Sequence, residues 1–144
     1  MELRIGGLCP LLQVFDMPTS IAFYRDVLGF TVATPVPDDG ACDWVLMRLD
    51  ESELMLNTAY EADQRPPVPD LARLAAHRDT ALFFDCPDVD SAYRYLRSKG
   101  IDVTAPVIRD YGMKQIYLAD PDGYEICFQW PAEVHGGATH SIDL

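Results

Sequence analysis

Lysine is nearly absent from this chain. Its 144 residues hold two, Lys99 and Lys114, and 11 basic side chains in all face 23 acidic ones. At a formal net charge of −12 no basic patch can be assembled, and like charge repels phosphates, which excludes nucleic acid and anionic membrane surfaces as partners. Histidine is scarce too: His77, His135 and His140 are the only ones, and none falls on a predicted strand. The four cysteines, Cys9, Cys42, Cys86 and Cys127, form no C-x-x-C pair and no Cys/His cluster, so a zinc-ribbon reading fails and free thiols are expected. No apolar run approaches the roughly 20 residues of a membrane-spanning helix. The first residues lack the basic and then apolar pattern of a secretory leader, and a cytoplasmic location is expected.

What is present is ordinary in bulk and unusual in pattern. Apolar residues make up 49% and charged residues 24% of the chain, which suits one globular domain over 1–144 with its own core. Within it the sequence repeats. Asp16 and Asp88 lie 72 apart, while Ser20/Ser91, Tyr24/Tyr95 and Gly29/Gly100 lie 71 apart. Such a period exceeds a solenoid unit and falls short of an independent domain. It implies two half-domains of like construction that share one cleft.

The elements follow the repeat. Leu8–Phe15 alternates, with Leu12 and Val14 on one face and Leu11 and Gln13 on the other, which predicts a strand. Asp16 or Thr19 caps a helix that has Pro18 in its first turn and Gly29 as its stop. Phe30–Val36 reads as extended, and Trp44–Leu49 and Leu54–Thr58 flank a hairpin turn at Asp50–Glu53. In the second half Ala81–Cys86 is a strand and Asp88 caps a helix over Val89–Ser98, with Tyr93, Tyr95 and Leu96 as its buried stripe. Gly100 ends that helix, Ile101–Ile108 is extended, and Gln115–Ala119 and Glu125–Trp130 flank the turn Asp120-Pro121-Asp122-Gly123. Each half is β-α-β-β-β: module 1 over 5–59 and module 2 over 80–131. A stiff linker with a short helix covers 60–79, and a loose tail covers 132–144.

Two stretches carry a resemblance. Ser20-x-x-Phe23-Tyr24-x-x-x-Leu28-Gly29-Phe30 early and Tyr117-Leu118-Ala119-Asp120-Pro121-Asp122-Gly123 late resemble the vicinal oxygen chelate superfamily. That superfamily includes glyoxalase I, extradiol dioxygenases, and fosfomycin- and bleomycin-resistance proteins. The resemblance spans roughly residues 5–131. It implies an α+β fold in which two tandem βαβββ modules form a curved mixed sheet of half-barrels around a cleft, usually in a homodimer. In the metal enzymes of the family, His, Gln or Glu occupy four recurrent strand positions. Those positions are here Cys9, Met55, Ala81 and Cys127. Hard divalent ions need oxygen or imidazole donors, so no metal and no cofactor is expected. Glu53 and Glu125, two residues from Met55 and Cys127, are the available displaced ligands, and Glu125 is also the one candidate general base.

Alternation places Leu11, Gln13, Met55, Phe83 and Cys127 on the cleft face, with Trp44, Tyr111, Met113 and Tyr117 joining from the hairpins. Aromatic rings, Met and a few polar handles suit a flat organic ligand. The expected function is metal-free binding of a hydrophobic or aromatic small molecule, sequestering an antibiotic or metabolite, by a cytoplasmic homodimer. Two rivals stand beside it. One is a lyase, isomerase or dioxygenase of the same superfamily that uses a displaced metal site or acid–base catalysis. The other is a dimeric interaction module with no ligand.

Overall fold

The computed structural model describes residues 2–132. His135, His140 and all but the first residue of the expected tail lie outside them. The chain divides into two compact units at Pro69/Asp70.

In the first unit β1 (Leu11–Val14) leads into helix α1 (Met17–Ala22), which continues as a π turn over Phe23–Val27. Strands β2 (Thr31–Val32), β3 (Trp44–Leu49) and β4 (Ser52–Thr58) follow. The sheet runs β1-β4-β3-β2, with β1 parallel to β4 and the other pairs antiparallel. Asp16 is the cap of α1, its carboxylate accepting the Thr19 N–H at 3.1 Å. Gly29, at φ 91°, closes the helical segment, and the Phe30 N–H returns to the Tyr24 carbonyl at 2.8 Å, the left-handed stop that glycine allows without a Cβ penalty. Leu12, Val14, Val45, Met47, Leu54 and Leu56 are buried on one sheet face, and Met17, Ile21, Phe23 and Tyr24 are the buried apolar side chains of the helical segment. Each such side chain contributes about 1.5–3 kcal/mol by leaving water.

The second unit starts with α2 (Leu71–Ala76) and a 3₁₀ turn (His77–Asp79). It continues with β5 (Ala81–Asp85), α3 (Val89–Ser98), β6 (Val107–Ile108), β7 (Met113–Ala119) and β8 (Glu125–Pro131). Its sheet order, β5-β8-β7-β6 with β5 parallel to β8, repeats the first. The fold is therefore α+β, with two open four-stranded mixed sheets and three α-helices among the described residues. Asp88 caps α3 through the Ser91 N–H at 3.0 Å, and Val89 and Leu96 are its buried residues. The short α2 is clamped to the Asp-Pro-Asp-Gly turn. Arg73 Nη1 lies 2.9 Å from Asp122 Oδ1, His77 Nδ1–H donates to the Asp122 carbonyl at 2.7 Å, and the His77 ring stacks on Tyr124 at 4.0 Å. His77 thus has a structural position, in the 3₁₀ turn that follows α2.

Five expectations change. Phe30–Val36 shrinks to the two residues of β2 and Ile101–Ile108 to the two of β6, for one shared reason. Thr34 Oγ1 accepts the Leu46 N–H at 3.1 Å, Thr104 Oγ1 accepts the Tyr117 N–H at 2.9 Å, and prolines 35, 37 and 106 have no N–H to give. Each ladder is ended by a threonine hydroxyl. The first strand likewise begins at Leu11, after Pro10, and not at Leu8. The hairpin turn is only Asp50–Glu51, with Asp50 at φ 51°, so Ser52 and Glu53 belong to β4. Finally, Tyr95 is 45% exposed and is not part of the buried stripe of α3.

Candidate functional site

Each sheet has one face packed with helix; the opposite face of the second also holds the buried Met113, Gln115, Cys127 and Gln129. On the open face of the first sheet, Leu11, Met55 and Leu46 form one cross-strand row, and Gln13, Asn57 and Trp44 the next. Asn57 Nδ2 donates to Gln13 Oε1 at 3.3 Å, so the polar members of the second row satisfy each other. Glu53 takes the same face and pairs with Arg48 across the hairpin at 2.9 Å, which occupies the carboxylate expected as a displaced ligand. Burial, then the nearby Glu53 charge, pushes the Cys9 thiol up from its ordinary value. A separate open groove of about 540 Å³ runs beside β2, lined by residues that include Arg25, Phe30, Val32 and Val36. None of the residues expected to bind a ligand lines it.

The open face of the second sheet is richer. Phe83 on β5 meets the Tyr117 ring of β7 edge to face at 6.2 Å, and Cys127 lies in register with both Phe83 and Tyr117. Beneath the rings is a glutamine relay. Tyr117 Oη, Tyr111 Oη and Arg109 Nε donate to a single acceptor, Gln115 Oε1, at 2.8, 3.1 and 3.2 Å. Gln115 Nε2 passes the chain on to Gln129 Oε1 at 2.8 Å. Because Arg109 can only donate, the orientation of the Gln115 amide is fixed. Gln115 is 1% and Gln129 8% exposed, so the glutamine pair is a buried anchor for the Tyr117 and Tyr111 hydroxyls, while the Tyr111 ring and Arg109 are exposed. The Arg109 guanidinium also lies over the Tyr117 ring, 5.6 Å from its centroid.

The electrostatics keep this face neutral at its centre. Burial, then the charge of and hydrogen bond with Cys127, pushes the Tyr117 phenol up to about 12. Burial raises the Cys127 thiol to about 11, against the hydrogen bond with Tyr117 that lowers it. Neither is a nucleophile near neutral pH, since the thiolate is the reactive form. Met113 is buried on the same side of β7, in register with Pro131. Glu125 starts β8, half-buried, between Ala81 and Ala119 in register.

The family model of the Glyoxalase/Bleomycin resistance protein/Dioxygenase superfamily matches residues 6–128. The chain belongs to this superfamily. Among curated relatives it is 28% identical to the uncharacterized protein YaeR of Escherichia coli (strain K12) over 117 residues, 75% of this chain and 82% of that one. A glyoxalase/bleomycin resistance protein/dioxygenase from Nocardioides shares the fold at a TM-score of 0.70 and 22% identity, covering 99% of this chain and 93% of that one. TnmS3, an antibiotic binding protein from Streptomyces sp. CB03234, does so at a TM-score of 0.65 and 21% identity, covering 91% and 100%.

The metal that members of this superfamily can carry does not fit the residues present. Of the four positions, Cys9 and Cys127 offer protonated thiols, Met55 a thioether and Ala81 only a methyl group. No group of three His, Cys, Asp or Glu side chains suited to a metal ion occurs among the described residues. A hard divalent ion finds no oxygen or imidazole set in these four. Alternation does not single out Gln115, Gln129 or Arg109. The first two do leave a trace, as polar residues two positions from Tyr117 and Cys127 inside apolar strands.

Proposed function

We propose that this protein binds an aromatic small molecule and holds it without turning it over. The relay carries this reading: Phe83, Tyr111 and Tyr117 present ring surface, and a buried glutamine pair fixes two of those rings before any ligand arrives. Preorganised rings with few polar anchors favour binding, because little ordering remains to be done on association. Met113 and Cys127 belong to this reading as the buried support beneath these rings, and Leu11, Gln13, Trp44 and Met55 as the matching face of the first sheet. Structural relatives named for antibiotic binding support it, as does a donor set poor in metal ligands. Homodimerisation and a cytoplasmic location go with it, the latter supported by four free cysteines. No helix among the described residues is long and apolar enough to cross a membrane.

The test is a titration of purified protein with bleomycin and with 2-naphthamide, followed by calorimetry and by thermal shift. At least one ligand should raise the melting temperature in a saturable way, and Tyr117→Ala combined with Phe83→Ala should abolish the effect. Stoichiometric iron, nickel or manganese in protein purified without chelator, together with turnover of a bound compound, would replace this reading with the enzymatic one.

A further inference from the structure

The geometry points to the charge of the ligand: the open face of the second sheet selects aromatic compounds bearing an anionic group, read by Arg109. This rests on the binding reading above and adds to it the chemical class of the ligand.

The argument is a count of donors and acceptors. Every hydrogen bond of the relay runs one way, from Arg109, Tyr111 and Tyr117 into Gln115 and from Gln115 into Gln129. The amide oxygens are consumed inside the protein. At the start of the relay, the Arg109 Nη1 and Nη2 groups have no hydrogen-bond or ion-pair partner among the described residues, because only Nε is engaged and the ion pairs fall elsewhere. At its end, the Gln129 NH₂ has no partner there either. Among the described residues no fully buried side-chain nitrogen or oxygen lacks a partner, so that nitrogen keeps some access to solvent. Both ends therefore offer N–H groups, and a ligand must supply acceptors to meet them. The two Nη groups form a planar fork that matches a carboxylate with two parallel hydrogen bonds.

Position sharpens the demand. Arg109 follows β6 at one edge of the sheet, while Asp85 ends β5 at the other. Three strand spacings separate the edges, roughly 14 Å. Glu125 also takes this face, from the start of β8. A ligand acid is thus repelled from the β5 and β8 ends and drawn to β6, which lays its ring system over Tyr117. The net charge of −12 disfavours any anion at long range, so the preference for an acid rests on Arg109.

The test uses three matched probes, 2-naphthoate, 2-naphthamide and 2-naphthylmethylammonium, titrated by calorimetry into the full chain and into its Arg109→Gln and Arg109→Lys variants. Wild type should bind the acid roughly tenfold more tightly than the amide, the fold-change of one charge-assisted pair. Arg109→Gln should lose that factor, bringing the acid and amide affinities together; Arg109→Lys should keep only part of it. Equal or tighter binding of the amide or the amine by wild type, or acid binding unmoved in Arg109→Gln, overturns the charge assignment and leaves the binding reading standing. If none of the three binds, this assignment fails, and the binding reading fails with it when bleomycin also gives no saturable shift.

Discussion

Gly123 and Gly100 form a matched pair that tests how α2 meets the Asp-Pro-Asp-Gly turn. Both have positive φ, 83° and 77°, so an alanine at either site takes a left-handed backbone at a cost of about 1–2 kcal/mol. Around Gly100 an added Cβ meets nothing within 4 Å, whereas at Gly123 it would lie 2.3 Å from the Leu74 carbonyl oxygen and 3.0 Å from its carbon. Those atoms are backbone of α2, and they cannot move away freely. Asp70 caps the helix through the Ala72 N–H at 3.0 Å, and Arg73 and His77 tie it to Asp122. Forcing the contact should add about 1–3 kcal/mol to the cost of the conformation. For a chain of this size that places Gly100→Ala about 3–8 °C below wild type and Gly123→Ala a further 3–10 °C below that. Thermal melts by circular dichroism, with urea midpoints as a second measure, decide the matter. Two variants melting within about 2 °C of each other would refute the reasoning, because the close approach of α2 would then carry no energy.

Two further outcomes follow from the relay. Gln115→Leu strands the Tyr117 and Tyr111 hydroxyls and the Gln129 carbonyl, and should cost about 1–3 kcal/mol in urea unfolding; no loss of stability would mean that the network is not formed. Rising pH should weaken the fold. The Cys127 thiol titrates near 11 and the Tyr117 phenol near 12 in the folded chain, against ordinary values of 9.0 and 10.0. The folded state thus keeps protons that the unfolded state releases. The stability tied to them is complete below pH 9 and is lost as pH climbs toward 11 and 12. Cys127→Ala should flatten the fall of the urea midpoint in the lower part of that range, and an unchanged slope would contradict the assignment.

Which parts of this were legible in the sequence depends on how far apart the interacting residues lie. Alternation is a local property, and it suffices to separate Leu12 and Val14, buried under helix, from Leu11 and Gln13 on the other face. Caps and glycine stops are local too, which is why Asp88 and Gly100 bound α3 where expected. The relay is not local. Gln115 reaches Gln129 only because β7 and β8 pair in one register, and Arg109 joins through a turn that follows the two-residue β6. Strand ends were misjudged for the same reason. The hydroxyls of Thr34 and Thr104 take over ladder positions facing Leu46 and Tyr117, 12 and 13 residues away.

The change of repeat spacing from 72 to 71 has a structural cause, and it explains the misplaced Tyr95. From cap to glycine stop the separation is 13 positions in the first module, Asp16 to Gly29, and 12 in the second, Asp88 to Gly100. The extra residue sits in the π turn, where the Leu28 N–H reaches back five residues to the Phe23 carbonyl at 3.1 Å, the geometry that accommodates a single insertion in a helix. Before the insertion the modules correspond at 72: Met17 with Val89 and Tyr24 with Leu96, all four buried. Beyond it they correspond at 71, Gly29 with Gly100. The closing hydrogen bonds span the step, Phe30 to Tyr24 over six residues and Ile101 to Leu96 over five. Pairing Tyr24 with Tyr95 by identity applies the later spacing too early, and it turns an exposed ring inward. The partner of Tyr24 in the fold is Leu96, and the one-residue drift in the repeat is the trace that the π turn leaves in the sequence.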